Sequence, residues 1–161
     1  MLKVAFHDIY KHPLDKSHRF PMVKYELIPE QLLRENTCTS ENFFVPGKIN
    51  VNDILAAHKK TYLDKLDNQE FSKKEVRAIG FPMSPRLIVR EKLIAQGTIE
   101  GALSALKHGV AMNIAGGTHH AFSDRAEAFC ILNDQAIAAK HLINKNYCNK
   151  IMILDLDVHQ G

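Results

Sequence analysis

Cysteines, long apolar runs and blocks of like charge are all scarce in this 161-residue sequence. The three cysteines, Cys38, Cys130 and Cys148, are odd in number and include no CxxC pair, which argues against a disulfide framework and against a thiolate zinc site. No apolar run approaches the ~18 residues of a membrane-spanning helix, and the first residues are too polar for a signal peptide. The net charge of +3 is spread over scattered basic residues, so nothing supports nucleic-acid binding. These absences favour a cytoplasmic protein with reduced thiols and no membrane contact.

The composition that remains is that of a globular protein. Hydrophobic residues make up 45% of the chain and charged residues 24%, so we expect one domain over residues 1–161. Periodicity and capping residues predict an α/β order of elements. The predicted strands cover residues 2–6, 110–114 and 150–161, and the predicted helices cover 21–35, 52–66, 85–108 and 135–145. Residues 38–50 are predicted to hold little beyond a turn, and residues 67–75 to form a solvated linker.

The strongest site signal follows an apolar run in the last predicted strand, which should be buried on both faces of a parallel sheet. Asp155, Asp157 and His159 occupy every second position, so an extended chain places all three side chains on one side. Asp157 and His159 offer an oxygen and an imidazole nitrogen to one metal, a ligand mix that suits Zn²⁺. Asp155 lies deeper and needs a histidine, a cation or backbone donors as compensation. The alternative is that the acids only cap nearby loops.

A second cluster lies in a glycine-led loop after the predicted strand 110–114, where His119 and His120 are adjacent. The order strand, loop, helix, strand makes the two strands parallel, so both clusters should face one crevice beyond their carboxyl ends. A buried carboxylate such as Asp155 orients an imidazole and raises its basicity. Beside a metal with an open position, a histidine that takes and returns a proton indicates metal-assisted hydrolysis of an amide.

Other polar residues favour structural interpretations. His12, His18 and Arg19 flank the first predicted helix and are interpreted as surface or hydrogen-bonding residues, with a catalytic role as the alternative. His58 lies on the apolar face of the predicted helix 52–66 and is interpreted as a core histidine.

Six segments together resemble the histone deacetylase superfamily, in order and at suitable spacing, over almost the whole chain. Three of them are 116–121 (GGTHHA), which contains the histidine pair, 129–134 (FCILND), and 155–161 (DLDVHQG), which contains Asp155, Asp157 and His159. Three others resemble its bacterial and class IV-like branch: 12–13 (HP), 18–22 (HRFPM) and 80–85 (GFPMSP). The resemblance implies an arginase-like, three-layer α/β/α fold with zinc at the end of a parallel sheet, and an enzyme that removes acetyl groups from an acetylated lysine or polyamine.

The resemblance also implies a role for each residue of the two clusters. Asp157 and His159 would be zinc ligands, and His119 and His120 would be the proton-transfer pair. Asp155 would partner His119 and would help to hold a monovalent cation, K⁺ or Na⁺, together with the backbone carbonyls of Asp157 and His159.

Further residues would form the substrate channel. Phe129 and Gly117 would line the passage for the acyl-lysine, and Arg19 would stand near the internal pocket below the metal. Ala128 departs from the resemblance, because the superfamily usually has glycine before that phenylalanine and the extra methyl group affects the width of the channel.

Length is the larger departure. The superfamily's third zinc ligand, an aspartate, and its oxyanion-stabilising tyrosine are expected beyond residue 161, and none of the four tyrosines matches that motif. We therefore expect the N-terminal half of a deacetylase, which alone binds zinc poorly, turns over no acetyl-lysine peptide and self-associates through an unfinished sheet edge. The alternative is a non-catalytic module that binds acyl-lysine or a partner.

Overall fold

A parallel sheet of three short strands forms the centre of the computed structural model, which describes residues 1–159. Gln160 and Gly161, the end of the DLDVHQG motif, lie outside the described residues. The strands, in the spatial order β2-β1-β3, are β1 (Lys3–Ala5), β2 (Phe43–Phe44) and β3 (Ala111–Asn113). Val4 of the central strand pairs with Phe43 on one side and Met112 on the other, both in parallel. The carboxyl ends of β1 and β3 therefore meet at one edge of the sheet.

Helices cover the sheet and fill the chain between its strands. They are α1 (Lys24–Arg34), α2 (Val51–Leu55), α3 (Lys60–Asn68), α4 (Lys73–Ile79), α5 (Pro85–His108) and α6 (Asp134–Asn144). The longest, α5, packs against β1, β3 and α6. It begins after Ser84, whose hydroxyl accepts a hydrogen bond from the Leu87 N–H, and it ends at Gly109, as predicted. No helix within residues 1–159 is both long enough and apolar enough to cross a membrane.

One helix prediction and one linker prediction were wrong in detail. The predicted helix 52–66 is divided into α2 and α3 by a turn, in which the Lys59 N–H bonds to the distant Ser123 carbonyl instead of continuing the helix. The predicted linker 67–75 contains the start of α4, where Ser72 and Glu75 form a reciprocal capping box. The start of α4 could have been predicted from its local capping residues. The break before α3 could not, because it depends on a carbonyl distant in sequence.

The prediction of a buried strand over residues 150–161 was also wrong for the described part. Residues 150–157 have no regular secondary structure and make no ladder with β3. Backbone N–H groups that a ladder would use bond instead to local carboxylates: Asp157 N–H to Asp155, and His159 N–H to Asp157. The apolar side chains are 70–91% exposed at Met152, Leu154, Leu156 and Val158. A parallel strand needs layers on both faces, and the described residues supply none here.

Candidate active site

A cavity of about 640 Å³ lies beyond the carboxyl end of β3. Residues between Arg19 and Tyr25, residues 115–120 and residues 128–130 line it, together with Asp157 and His159. The predicted residues His119, His120, Phe129, Gly117 and Arg19 therefore all reach one cavity. Asp155 contacts His119 but is not among the lining residues, and it is exposed, so the prediction that it lies deep in a buried strand was wrong. The two sequence clusters converge although the last segment is not a strand.

The two histidines of the loop form a chain of contacts with Asp155. His119 Nδ1 lies 2.8 Å from Asp155 Oδ2, and His119 Nε2 lies 3.1 Å from His120 Nε2. If the Nδ1–H of a neutral His119 donates to the carboxylate, its Nε2 must accept, so His120 Nε2–H is the donor between the rings. Hydrogen bonds from the Asp157 N–H and, more weakly, from His119 hold the pKa of Asp155 below its ordinary value. The arrangement can hold and pass a proton.

The two residues expected to bind zinc lie at the rim of the cavity. His159 Nδ1 is 3.0 Å from Asp157 Oδ1, and the rings of His159 and His120 have centroids 6.3 Å apart. The His159 N–H and ring lower the pKa of Asp157. A carboxylate and an imidazole fit zinc chemically. Within residues 1–159, however, no three His, Cys, Asp or Glu side chains converge as a metal-binding group.

Phe129 forms the aromatic wall of the cavity in an unusual backbone conformation. Its φ is 67° and that of Ala128 is 47°, both left-handed, and their N–H groups bond to carbonyl groups at the end of α4. Glycine would adopt the left-handed conformation of Ala128 without steric cost, whereas the alanine present here is strained. The Phe129 ring packs against Phe20 and Phe81, each with centroids 5.0 Å away, and the Arg19 guanidinium lies 5.0 Å from its centroid. Packing therefore fixes this wall on several sides.

The other histidines are partly as predicted. His58 is buried and its Nε2 accepts from the Asn133 N–H, so it is a core histidine. Burial lowers its pKa, opposed by the nearby Phe122 and Ser123 carbonyls. His18 hydrogen-bonds the Gly80 carbonyl at 2.8 Å.

His12 is not a surface residue, which corrects its interpretation. It is 4% exposed, and its Nδ1 has no partner among the described residues. Burial, with Arg90 nearby, lowers its pKa, so the ring packs as a neutral core group.

Several cavity residues were not singled out from the sequence as site residues. Lys24 and Tyr25 reach the cavity from α1, and burial is the largest cause that lowers the pKa of Lys24 and raises that of Tyr25. Burial also raises the pKa of Cys130 to about 12, which keeps this lining thiol protonated and unreactive. The only local signal for these residues was their proximity in sequence to Arg19 and Phe129.

Comparison with known proteins identifies the family. Residues 18–161 match the family model described as histone deacetylase domain. An uncharacterised protein of Picosynechococcus sp. is 38% identical over 98% of this chain and 53% of its own length. Histone deacetylase 2 of Arabidopsis thaliana is 26% identical, and acetoin utilization protein AcuC of Staphylococcus aureus 28%; the match covers 96% and 100% of this chain and 42% of each relative.

Solved structures agree with these matches. The crystal structure of an HDAC homolog from Aquifex aeolicus superimposes with a TM-score of 0.72 and 25% identity, over 91% of this chain and 42% of that one. An HDAC homolog complexed with SAHA gives a TM-score of 0.74, also at 25% identity and with the same coverage. The fold is thus the arginase-like α/β fold of these homologues, and the chain spans about half the length of the curated relatives it matches. This chain belongs to the histone deacetylase family.

Proposed function

We propose that the protein is a zinc-dependent hydrolase that removes an acetyl group from an acetylated lysine, polyamine or similar amine. The observation that carries the proposal is the contact chain Asp155, His119, His120 at the cavity that Asp157 and His159 also border. Membership of the deacetylase family supports the same reaction class.

The side chains at the cavity would have three roles: metal binding, proton transfer and packing against the substrate. Asp157 and His159 would hold the zinc ion, which supplies Lewis-acid chemistry toward the amide when bound. His119 Nε2 is an acceptor that can take a proton, and the Asp155 carboxylate orients the ring and stabilises its charged form. His120 Nε2–H donates to His119 Nε2, so the two rings can share one proton. The Phe129 ring would pack along the acyl-lysine chain.

The proposal predicts different outcomes for the histidine pair and for the two proposed zinc ligands in the full-length protein. His120→Ala should leave metal content unchanged and lower turnover by about 10² or more, the scale of general acid-base catalysis. Asp157→Ala and His159→Ala should lose the metal. The measurements are metal analysis and a panel of acetylated lysine peptides and polyamines. His108→Ala, an exposed histidine at the end of α5, is the matched control and should change neither quantity. Full activity in His120→Ala contradicts the proposal.

Asp155 is proposed to act on the histidine and a monovalent cation, and not on zinc. Its carboxylate bonds to His119 and to the Asp157 N–H, so neither oxygen is directed at the zinc pair. Asp155→Asn should therefore reduce turnover and the response to K⁺ while zinc content stays near that of the parent. A loss of zinc equal to that in Asp157→Ala would show that the assigned role is wrong.

A second candidate is a module that binds acyl-lysine in the cavity beside Phe129 without turnover. Binding of an acetyl-lysine peptide to the full-length protein, with no acetate released in the presence of added zinc, would favour the module. Measurable release of acetate would favour the enzyme.

A further inference from the structure

Asp134, the first residue of α6, forms hydrogen bonds with the loop that carries His119 and His120. It is 1% exposed, and its Oδ1 accepts from the Thr118 N–H at 2.7 Å. The Thr118 hydroxyl also lies 2.7 Å from Oδ1, and its one proton is shared between Asp134 and the Leu132 carbonyl. Both carboxylate oxygens lie 3.1 Å from the Gly117 N–H, and Oδ2 also accepts from the Thr98 hydroxyl at 2.6 Å. The carboxylate is thus filled by donors, three of which belong to the two residues immediately before His119.

Asn133 binds the same loop on its other side. Its Nδ2 donates to the His119 carbonyl at 3.3 Å and to the Ala121 carbonyl at 3.1 Å. Its Oδ1 caps α6 by accepting from the Ala136 N–H at 2.9 Å. The side chain therefore serves as a helix cap with its oxygen and as a loop anchor with its nitrogen, and its backbone N–H is in turn fixed by His58.

These contacts exceed what helix capping needs. A cap requires only one acceptor at the residue before the helix, and the Asn133 oxygen already supplies it. Asp134 uses none of its oxygens for α6 and is buried without an ion pair among the described residues, an arrangement that needs several donors. Gly116 leaves space for it, because a Cβ there would lie 2.9 Å from Asp134 Oδ2.

We propose that Asn133 and Asp134 are positioning residues that fix the orientation of His119 and His120 toward each other; the inference rests on the proposed function. The backbone is bound on both sides of the pair, at 117–118 and at 119–121, while Asp155, the other partner of His119, lies in a segment without regular structure. Because a hydrogen bond weakens steeply with misalignment, the 3.1 Å contact between the rings depends on where this anchored backbone places them.

The test compares the same substitution at two helix caps. Asn133→Asp keeps an oxygen for the cap but removes the donor to the two carbonyls. Asn50→Asp is the matched control, because Asn50 caps α2 through the Asn52 N–H and does not touch the loop. The first measurement is the NMR signal of the histidine ring nitrogens in the ¹⁵N-labelled full-length protein. His119 and His120 should each show one tautomer in the parent and in Asn50→Asp. Both should show mixed tautomers in Asn133→Asp. With an acetyl-lysine peptide, the full-length Asn133→Asp variant should lose about 10²-fold in kcat with little change in KM.

A second variant covers the case in which Asn133→Asp does not fold. Thr98→Val removes one donor to Asp134 Oδ2 and touches neither histidine, so it should move the same ring signals less far in the same direction. Ring signals identical to the parent in every folded variant of the two would overturn the inference. If the full-length parent releases no acetate, the proposed function fails on its own, while the ring signals still decide whether Asn133 and Asp134 orient the pair.

Discussion

Gly80 ends α4 with a φ of 81° directly beneath the Phe129 ring. A Cβ at this position would lie 2.5 Å from Phe129 Cε1 and 3.0 Å from Cδ1, closer than side chains pack. The ring cannot simply move aside, because Phe20, Phe81 and His18 pack around it. We therefore expect Gly80→Ala to destabilise the fold and to displace the aromatic wall of the cavity.

Two independent costs add up at this position. An alanine in left-handed backbone costs about 1–2 kcal/mol, and an overpacked core typically costs about 1–3 kcal/mol. The free energy of unfolding should therefore fall by about 2–5 kcal/mol in Gly80→Ala. Each kcal/mol corresponds to about 2–4 °C in Tm for a chain of this size.

Gly109→Ala separates the two costs. Gly109 also ends a helix, has a φ of 87°, and has no atom within 4 Å of an added Cβ. This variant should lose only the backbone term, about 1–2 kcal/mol. The assay is urea unfolding of both single variants and of Gly80→Ala combined with Phe129→Leu, which should recover part of the difference. Equal losses in Gly80→Ala and Gly109→Ala would refute the idea that Phe129 rests on Gly80.

Two further predictions concern pH and association. Burial lowers the pKa of His58, so the folded state favours the neutral ring. The contribution of His58 to the free energy of unfolding is therefore complete above the ordinary histidine pKa of about 6.5, and it is lost as the pH drops below that value. The urea midpoint should decline less between neutral and mildly acidic pH in His58→Gln, and an unchanged decline would contradict this. The exposed apolar side chains of 152–158 should make this chain self-associate. Light scattering should then show less association for Leu156→Lys than for the control Val45→Lys, and equal association would exclude this surface.

The sequence by itself determined the elements whose signals are local. The Ser84 cap and Gly109 fixed both ends of α5, because capping depends on side chains within a few residues of the helix end. For α6 the sequence left the cap open between Asn133 and Asp134, and the structure shows that it is Asn133. The motifs 116–121, 129–134 and 155–161 were sufficient to indicate the histone deacetylase family, which the family match confirmed. The convergence of the histidine pair with Asp157 and His159 was also predicted, although the final strand on which that prediction depended is not formed in the described residues.

Only the tertiary structure decided what depends on partners distant in sequence. Asn133 and Asp134 could be read locally as caps, but their bonds to residues 117–121 cross twelve or more positions of the chain. The support of Phe129 by Gly80 is likewise invisible in either motif alone. Residues 150–157 carry a strand-like apolar pattern and yet form no strand, because a strand is stabilised by a neighbouring ladder and by layers on its faces and not by its own side chains.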